Sequence, residues 1–169
     1  PKLEKACKKY GVKPIYGCEF YVGENKQRKK NHITVLAKNL TGYQNLLKLS
    51  TLAHTEERFY YMPTIRITDL FEHQEGLIVL SGCLAGLISR RVLDEDMDGA
   101  REVAKLLKDN LEQFYIEVQP LTLADSITAN EGLIQIANEL DIPLVATNDV
   151  HYLEPGDEQV QWFLSTVRR

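Results

Sequence analysis

Short, continuous apolar runs alternate along this chain with amphipathic stretches, and that order restricts its fold more than any other feature. Gly76–Leu80 (GLIVL) and Ile142–Thr147 (IPLVAT) lack the in–out alternation of a strand with one wet face. They read as strands buried on both faces, the kind found in sheets covered by helices. Pro14–Val22, His32–Ala37 and Phe114–Val118 are rich in aromatic and branched residues and read as further strands. Between them the apolar spacing changes to the helical period. Tyr43, Leu46, Leu47 and Ser50 mark a helix with Thr41 as its expected N-cap. Thr68 is the expected cap of a short helix over Asp69–His73. Ala100, Val103, Ala104 and Leu107 mark a helix over Met97–Asn110, and Asn130, Leu133, Ile134, Ala137 and Leu140 mark another. Val160, Phe163, Leu164 and Val167 share one face of a tail helix over Asp157–Val167. This is α/β order; both a barrel and a doubly wound sheet satisfy it.

The 169 residues suffice for one domain with a core. At 44% hydrophobic and 26% charged the chain has globular rather than disordered composition. Its net charge of −4 argues against a broad nucleic-acid-gripping surface. The basic stretch Gly23–Asn31 (GENKQRKKN) reads first as a solvated hairpin tip and second as a phosphate-contacting loop. Cys7, Cys18 and Cys83 are widely spaced, which fits neither a zinc finger nor a disulfide framework and suits the reducing cytoplasm. No apolar run reaches the roughly 20 residues of a membrane span. The start at Pro1, without a Met or a signal peptide, suggests a segment of a longer protein.

Parallel α/β folds place their chemistry at the C-terminal ends of strands. Asn148-Asp149-Val150-His151 follows one apolar run and Ser81-Gly82-Cys83 another; Glu19 lies within the first strand and His32 opens the second. Carboxylate, imidazole and thiolate are the side chains that hold divalent transition metals. Each also has an ordinary structural reading: a strand carboxylate facing solvent, a surface imidazole, a small buried thiol. The Asp149-x-His151 pair is the strongest signal, although Asp and Asn are common turn residues. His54 and His73 read as surface residues. No glycine-rich phosphate loop and no Gly-x-Ser-x-Gly elbow is present. A Cys83 nucleophile served by His151 is the weaker, acyl-transfer reading, since nothing marks a third orienting group.

Four segments carry a resemblance. Lys13–Val22 (KPIYGCEFYV), His32–Leu46 (HITVLAKNLTGYQNL), Gly76–Leu84 (GLIVLSGCL) and Val145–Tyr152 (VATNDVHY) are similar, in order and approximate spacing, to the PHP domain of bacterial DNA polymerase III alpha subunits. The resemblance covers nearly the whole chain. It implies an incomplete distorted (β/α)7 PHP barrel over residues 1–169, lacking the family's leading His-x-His and Thr-Asp-His motifs, with a polymerase palm expected beyond Arg169. It implies metal ligands at Glu19, His32, Cys83, Asp149 and His151, with Asp149 and His151 catalytic. It implies zinc or manganese at this site, and magnesium at the palm. The implied activity is a phosphoesterase of the 3′–5′ exonuclease type within a replicative DNA polymerase. The implied partners are DNA, a proofreading exonuclease subunit and a sliding clamp, with no membrane. Two rivals stand beside it: a non-catalytic scaffold that docks the proofreading subunit, and a free-standing small-molecule phosphatase of the same superfamily. The GlyTyrGlnAsnLeu and ThrAsnAspValHis segments favour the polymerase branch.

Overall fold

The computed structural model describes residues 2–24, 30–120 and 123–167. In chain order the elements are α1 (Lys2–Tyr10), β1 (Gly17–Val22), β2 (Asn31–Ala37), α2 (Leu40–Ala53), β3 (Thr64–Ile65), α3 (Ile67–Glu72), β4 (Leu77–Leu80), α4 (Leu87–Leu93), α5 (Met97–Asn110), β5 (Phe114–Val118), α6 (Ala124–Leu140), β6 (Leu144–Ala146) and α7 (Glu158–Val167). The strands form one six-stranded sheet in the order β3-β1-β2-β4-β5-β6. The sheet is open, with β3 and β6 at its edges. It is also mixed: β1–β2 and β2–β4 pair antiparallel, whereas β1–β3, β4–β5 and β5–β6 pair parallel. The expected alternation of strands and helices is present. Most of residues 23–31, the basic loop, lies outside the described residues.

Register decides which side chains share a face. Phe20 opposes Ile33, Cys18 opposes Val35 and Val35 opposes Val79. Because side chains alternate across a strand, these residues form one apolar face, continued by Phe114 and Ile116 of β5 through the Val79–Phe114 pairing. Ile33, Val35, Val79 and Ile116 are essentially inaccessible to water. Each contributes on the order of 1.5–3 kcal/mol relative to exposure. Glu19, Thr34 and Leu80 are cross-strand neighbours on the other face, together with His32 one pleat along.

Helix α2 packs across β1, β2 and β4, while α4, α5 and α6 pack on one another and α6 lies against β5. Gly42 lets α2 sit directly on the turn before β4: a Cβ there would fall 1.9 Å from Gly76 O. Asn45 Nδ2 donates to Glu75 O at 2.9 Å across the same contact.

Three local expectations need correction. The N-cap of α2 is Asn39, whose Oδ1 accepts from Gly42 N–H at 2.9 Å, rather than Thr41. Thr68 does not cap α3; Asp69 reaches back to accept from Arg66 N–H at 2.8 Å and receives a bidentate pair from Arg58. The IPLVAT strand is not buried on both faces: β6 is an edge strand, and Leu144 and Ala146 are exposed. The tail helix forms as expected, but none of its residues is buried. The expected elements do not include β3, α4 or α1.

Removal of the observed cap tests this assignment. Asn39→Ala is expected to destabilise the fold by about 1 kcal/mol, and Thr41→Ala to leave it close to unchanged. Denaturant midpoints of the two variants provide the comparison.

Candidate metal centre

Antiparallel pairing of β1 and β2 creates the first half of the site. Glu19 lies directly opposite Thr34, so His32, two residues earlier on β2, is its diagonal neighbour on the same face. Glu19 Oε1 contacts His32 Nδ1 directly. Tyr21, directly opposite His32, packs edge-on to the imidazole at 4.9 Å between centroids and holds the ring plane. Cys18 belongs to the opposite face and packs against the core. Alternation alone therefore separates the two neighbouring residues of the Cys18-Glu19 pair.

The loop after β4 supplies the second half. It folds back across the start of β2, where His32 N–H donates to Ala85 O at 3.0 Å. Gly82 makes this possible. Its φ is +87°, and a Cβ would fall 2.8 Å from His32 O, so a side chain there meets both a backbone penalty and a wall. The loop brings Cys83 Sγ to 3.6 Å from His32 Nδ1. One donor atom from each of Glu19, His32 and Cys83 then lies within 4.8 Å of the others. His32 is a quarter exposed and Glu19 about half exposed, so the cluster opens to solvent.

This donor set fits a divalent ion. Zinc–nitrogen and zinc–sulfur bonds of standard length, at a tetrahedral angle, place S and N about 3.6 Å apart. Burial pushes the Cys83 thiol above its ordinary range; the charges of Asp149 and Glu19 push the same way, and a backbone hydrogen bond from Ala85 opposes them. That environment disfavours a free thiolate nucleophile. His32, not His151, is the imidazole beside Cys83, and both observations weigh against the acyl-transfer reading.

Asp149 and His151 occupy the exposed segment after β6. They do not join the compact cluster, although the Asp149 charge is felt at Cys83. Asp149 has a left-handed backbone at φ +47°, a conformation Asp tolerates better than most residues and one that recurs at functional sites. Its backbone carbonyl accepts from, or lies against, His151 Nδ1 at 2.7 Å. His54 is exposed, as expected, and caps its own helix turn through Ser50 O; His73 is partly buried at the end of α3 and contacts Asp69 O.

Sequence reasoning missed a third carboxylate. Glu117 of β5 is 95% buried, as its 5% exposure shows, and accepts from Thr147 Oγ1 and from Gln119 Nε2. The signal was the one that singled out Glu19, an acidic residue inside an apolar strand (FYIEV).

An open α/β sheet with a carboxylate–imidazole–thiolate cluster that could hold a metal ion defines an α/β protein with a candidate metal site. The PHP domain family model matches residues 1–121, and the chain belongs to that family. It is also similar to DNA polymerase III alpha subunits. The subunit of Treponema pallidum is 40% identical over 176 residues, covering 98% of this chain and 15% of that protein. That of Borreliella burgdorferi is 38% identical over 170 residues, covering 95% and 15%. That of Aquifex aeolicus is 36% identical over 182 residues, covering 99% and 16%. The chain thus spans about 15% of the length of such relatives. Among the described residues no helix is long and apolar enough to cross a membrane.

Gly82→Ala should strain the loop over His32 and cost roughly 1–3 kcal/mol. Thermal denaturation of the variant reads this directly; a melting temperature equal to that of the parent protein would contradict the account of the loop.

Proposed function

We propose that the chain is the PHP portion of a bacterial replicative DNA polymerase, extending over residues 1–169, with the polymerising palm in the sequence that follows. Its own site is a metal-dependent phosphoesterase acting on a 3′ nucleotide end. The observation that carries the reading is the convergence of Glu19, His32 and Cys83 donor atoms at the strand ends. The similarity to DNA polymerase III alpha subunits supports the choice of parent. DNA, a proofreading subunit and a sliding clamp are then partners of that parent.

In this reading Glu19, His32, Cys83, Asp149 and His151 hold zinc or manganese. A bound divalent ion supplies Lewis-acid polarisation of a phosphodiester and a more acidic water. The protein's side chains do the rest. Glu19 and Asp149 supply anionic oxygens; His32, fixed by Tyr21, presents Nδ1 toward both Glu19 and Cys83. Cys83 adds a soft donor that favours zinc over magnesium. Asp149 and His151 would join the set from the exposed segment after β6.

Asp149→Ala and His151→Ala in the full-length protein should each lower bound metal, and hydrolysis of a mismatched 3′ end, by at least about tenfold. Elemental analysis and a gel assay on the purified protein, free of partners, measure the two. Unchanged metal content in both variants would refute the ligand assignment. Metal retained without any hydrolysis by the parent protein would favour the scaffold reading instead.

A further inference from the structure

Glu117 touches both arms of the candidate centre while belonging to neither. Its backbone N–H donates to Ser81 Oγ at 2.9 Å, and Ser81 stands two residues before Cys83. Its side-chain Oε1 accepts from Thr147 Oγ1, and Thr147 stands two residues before Asp149. Gln119 Nε2 donates to the same oxygen at 3.2 Å and fixes the carboxylate rotamer. Ser81 and Gln119 are buried as Glu117 is. The two arms come from strands on either side of β5, so a residue of β5 is placed to reach both.

Register reinforces the point. Glu117 is paired with Val145, so Thr147, one pleat further, lies on its face. Beyond the Thr147 N–H, which donates to Val118 O at 3.1 Å, no backbone N–H of residues 148–153 has a hydrogen bond among those of the described residues. The Thr147 hydroxyl is therefore the last side-chain anchor before Asp149. A buried carboxylate is costly to keep in an apolar strand, and Glu117 Oε2 has no partner among the described residues. Packing alone would be served as well by an apolar residue.

The geometry points to Glu117 as a positioning residue that couples the Cys83 loop to the Asp149–His151 segment through Ser81 and Thr147. This rests on the metal-site reading above. Glu117 is not a ligand; it sets the distance between ligands contributed by different strands. Outer hydrogen-bonding partners of metal ligands typically govern affinity by 10–100-fold.

The test uses the full-length protein and four forms: the parent, Thr147→Val, Glu117→Ala and Glu117→Gln. Thr147→Val keeps a branched side chain just past β6 and exchanges only the hydroxyl for a methyl group, so it decides the matter should Glu117→Ala fail to fold. Hydrogen–deuterium exchange of peptides covering residues 144–151 in metal-free protein reads the positioning itself. Zinc titration reads its consequence. The expected result is exchange at residue 147 accelerated about tenfold or more in Thr147→Val and Glu117→Ala, with an unchanged melting temperature for Thr147→Val. The zinc dissociation constant should rise about 10- to 100-fold in the same variants, and Glu117→Gln, which keeps the acceptor oxygen, should restore both. Parent-like exchange in Thr147→Val overturns the proposal. So does faster exchange with unchanged zinc affinity in a protein that binds zinc. If the parent protein binds no zinc or manganese, the metal-site reading fails, and the exchange data alone decide the positioning claim.

Discussion

The hydrogen bond from His32 N–H to Ala85 O is the contact on which the site depends. It draws the loop after β4 back over the start of β2, and it places Cys83 within reach of the ring it flanks. Everything around it serves that closure. Gly82 supplies the left-handed turn and the missing Cβ. Ser81 anchors the near side of the loop to β5. The antiparallel β1–β2 ladder then adds Glu19 with no further loop, because a diagonal neighbour on a pleated pair is close by construction. The site is thus a product of register, and a slip of one residue would move Glu19 to the core face.

The same register explains how the sheet carries a core and a site at once. One face holds Phe20, Ile33, Val35, Val79 and Ile116 and is sealed by helices. The other carries Glu19, His32 and Thr34, which are only partly covered or exposed. Alternation keeps ionisable groups out of the apolar face, where each would cost several kcal/mol. Glu117 lies on the site face as well, but it is buried there, at the strand end between the two ligand-bearing arms.

Residue chemistry at strand ends was legible in the sequence; neighbours across the sheet were not. Glu19, His32 and Cys83 stood out because each is a metal-binding type set against an apolar run, and the structure brings the three together. Which strands would pair, and in which direction, leaves no local trace, so the mixed sheet and the Glu117 network could not be read. Hydropathy also reports composition and not position: IPLVAT is apolar up to Thr147, yet among the described residues β6 pairs with β5 alone. Thr41 looked like a cap by type, but the oxygen that meets the free N–H belongs to Asn39. Motifs can likewise be structural while looking functional. In the GlyTyrGlnAsnLeu segment, Gly42 and Asn45 bind α2 to the turn before β4 and touch none of the candidate ligands.

Charge sets a last condition on the proposed chemistry. The chain is acidic overall, at −4, and two of its proposed ligands are carboxylates, with a third anion added when Cys83 is deprotonated. Such a cluster repels a phosphodiester. At about 4 Å and an effective dielectric of 20, two like unit charges cost roughly 4 kcal/mol. On the proposed reading, the ligand cluster itself therefore does not attract a nucleotide end. The ligands must first be neutralised, which makes metal occupancy a condition for substrate approach as well as for bond cleavage. That condition also gives the Glu117 tether its purpose: holding the Cys83 loop and the Asp149–His151 segment to β5 through Ser81 and Thr147 limits how far the donors must move to gather an ion.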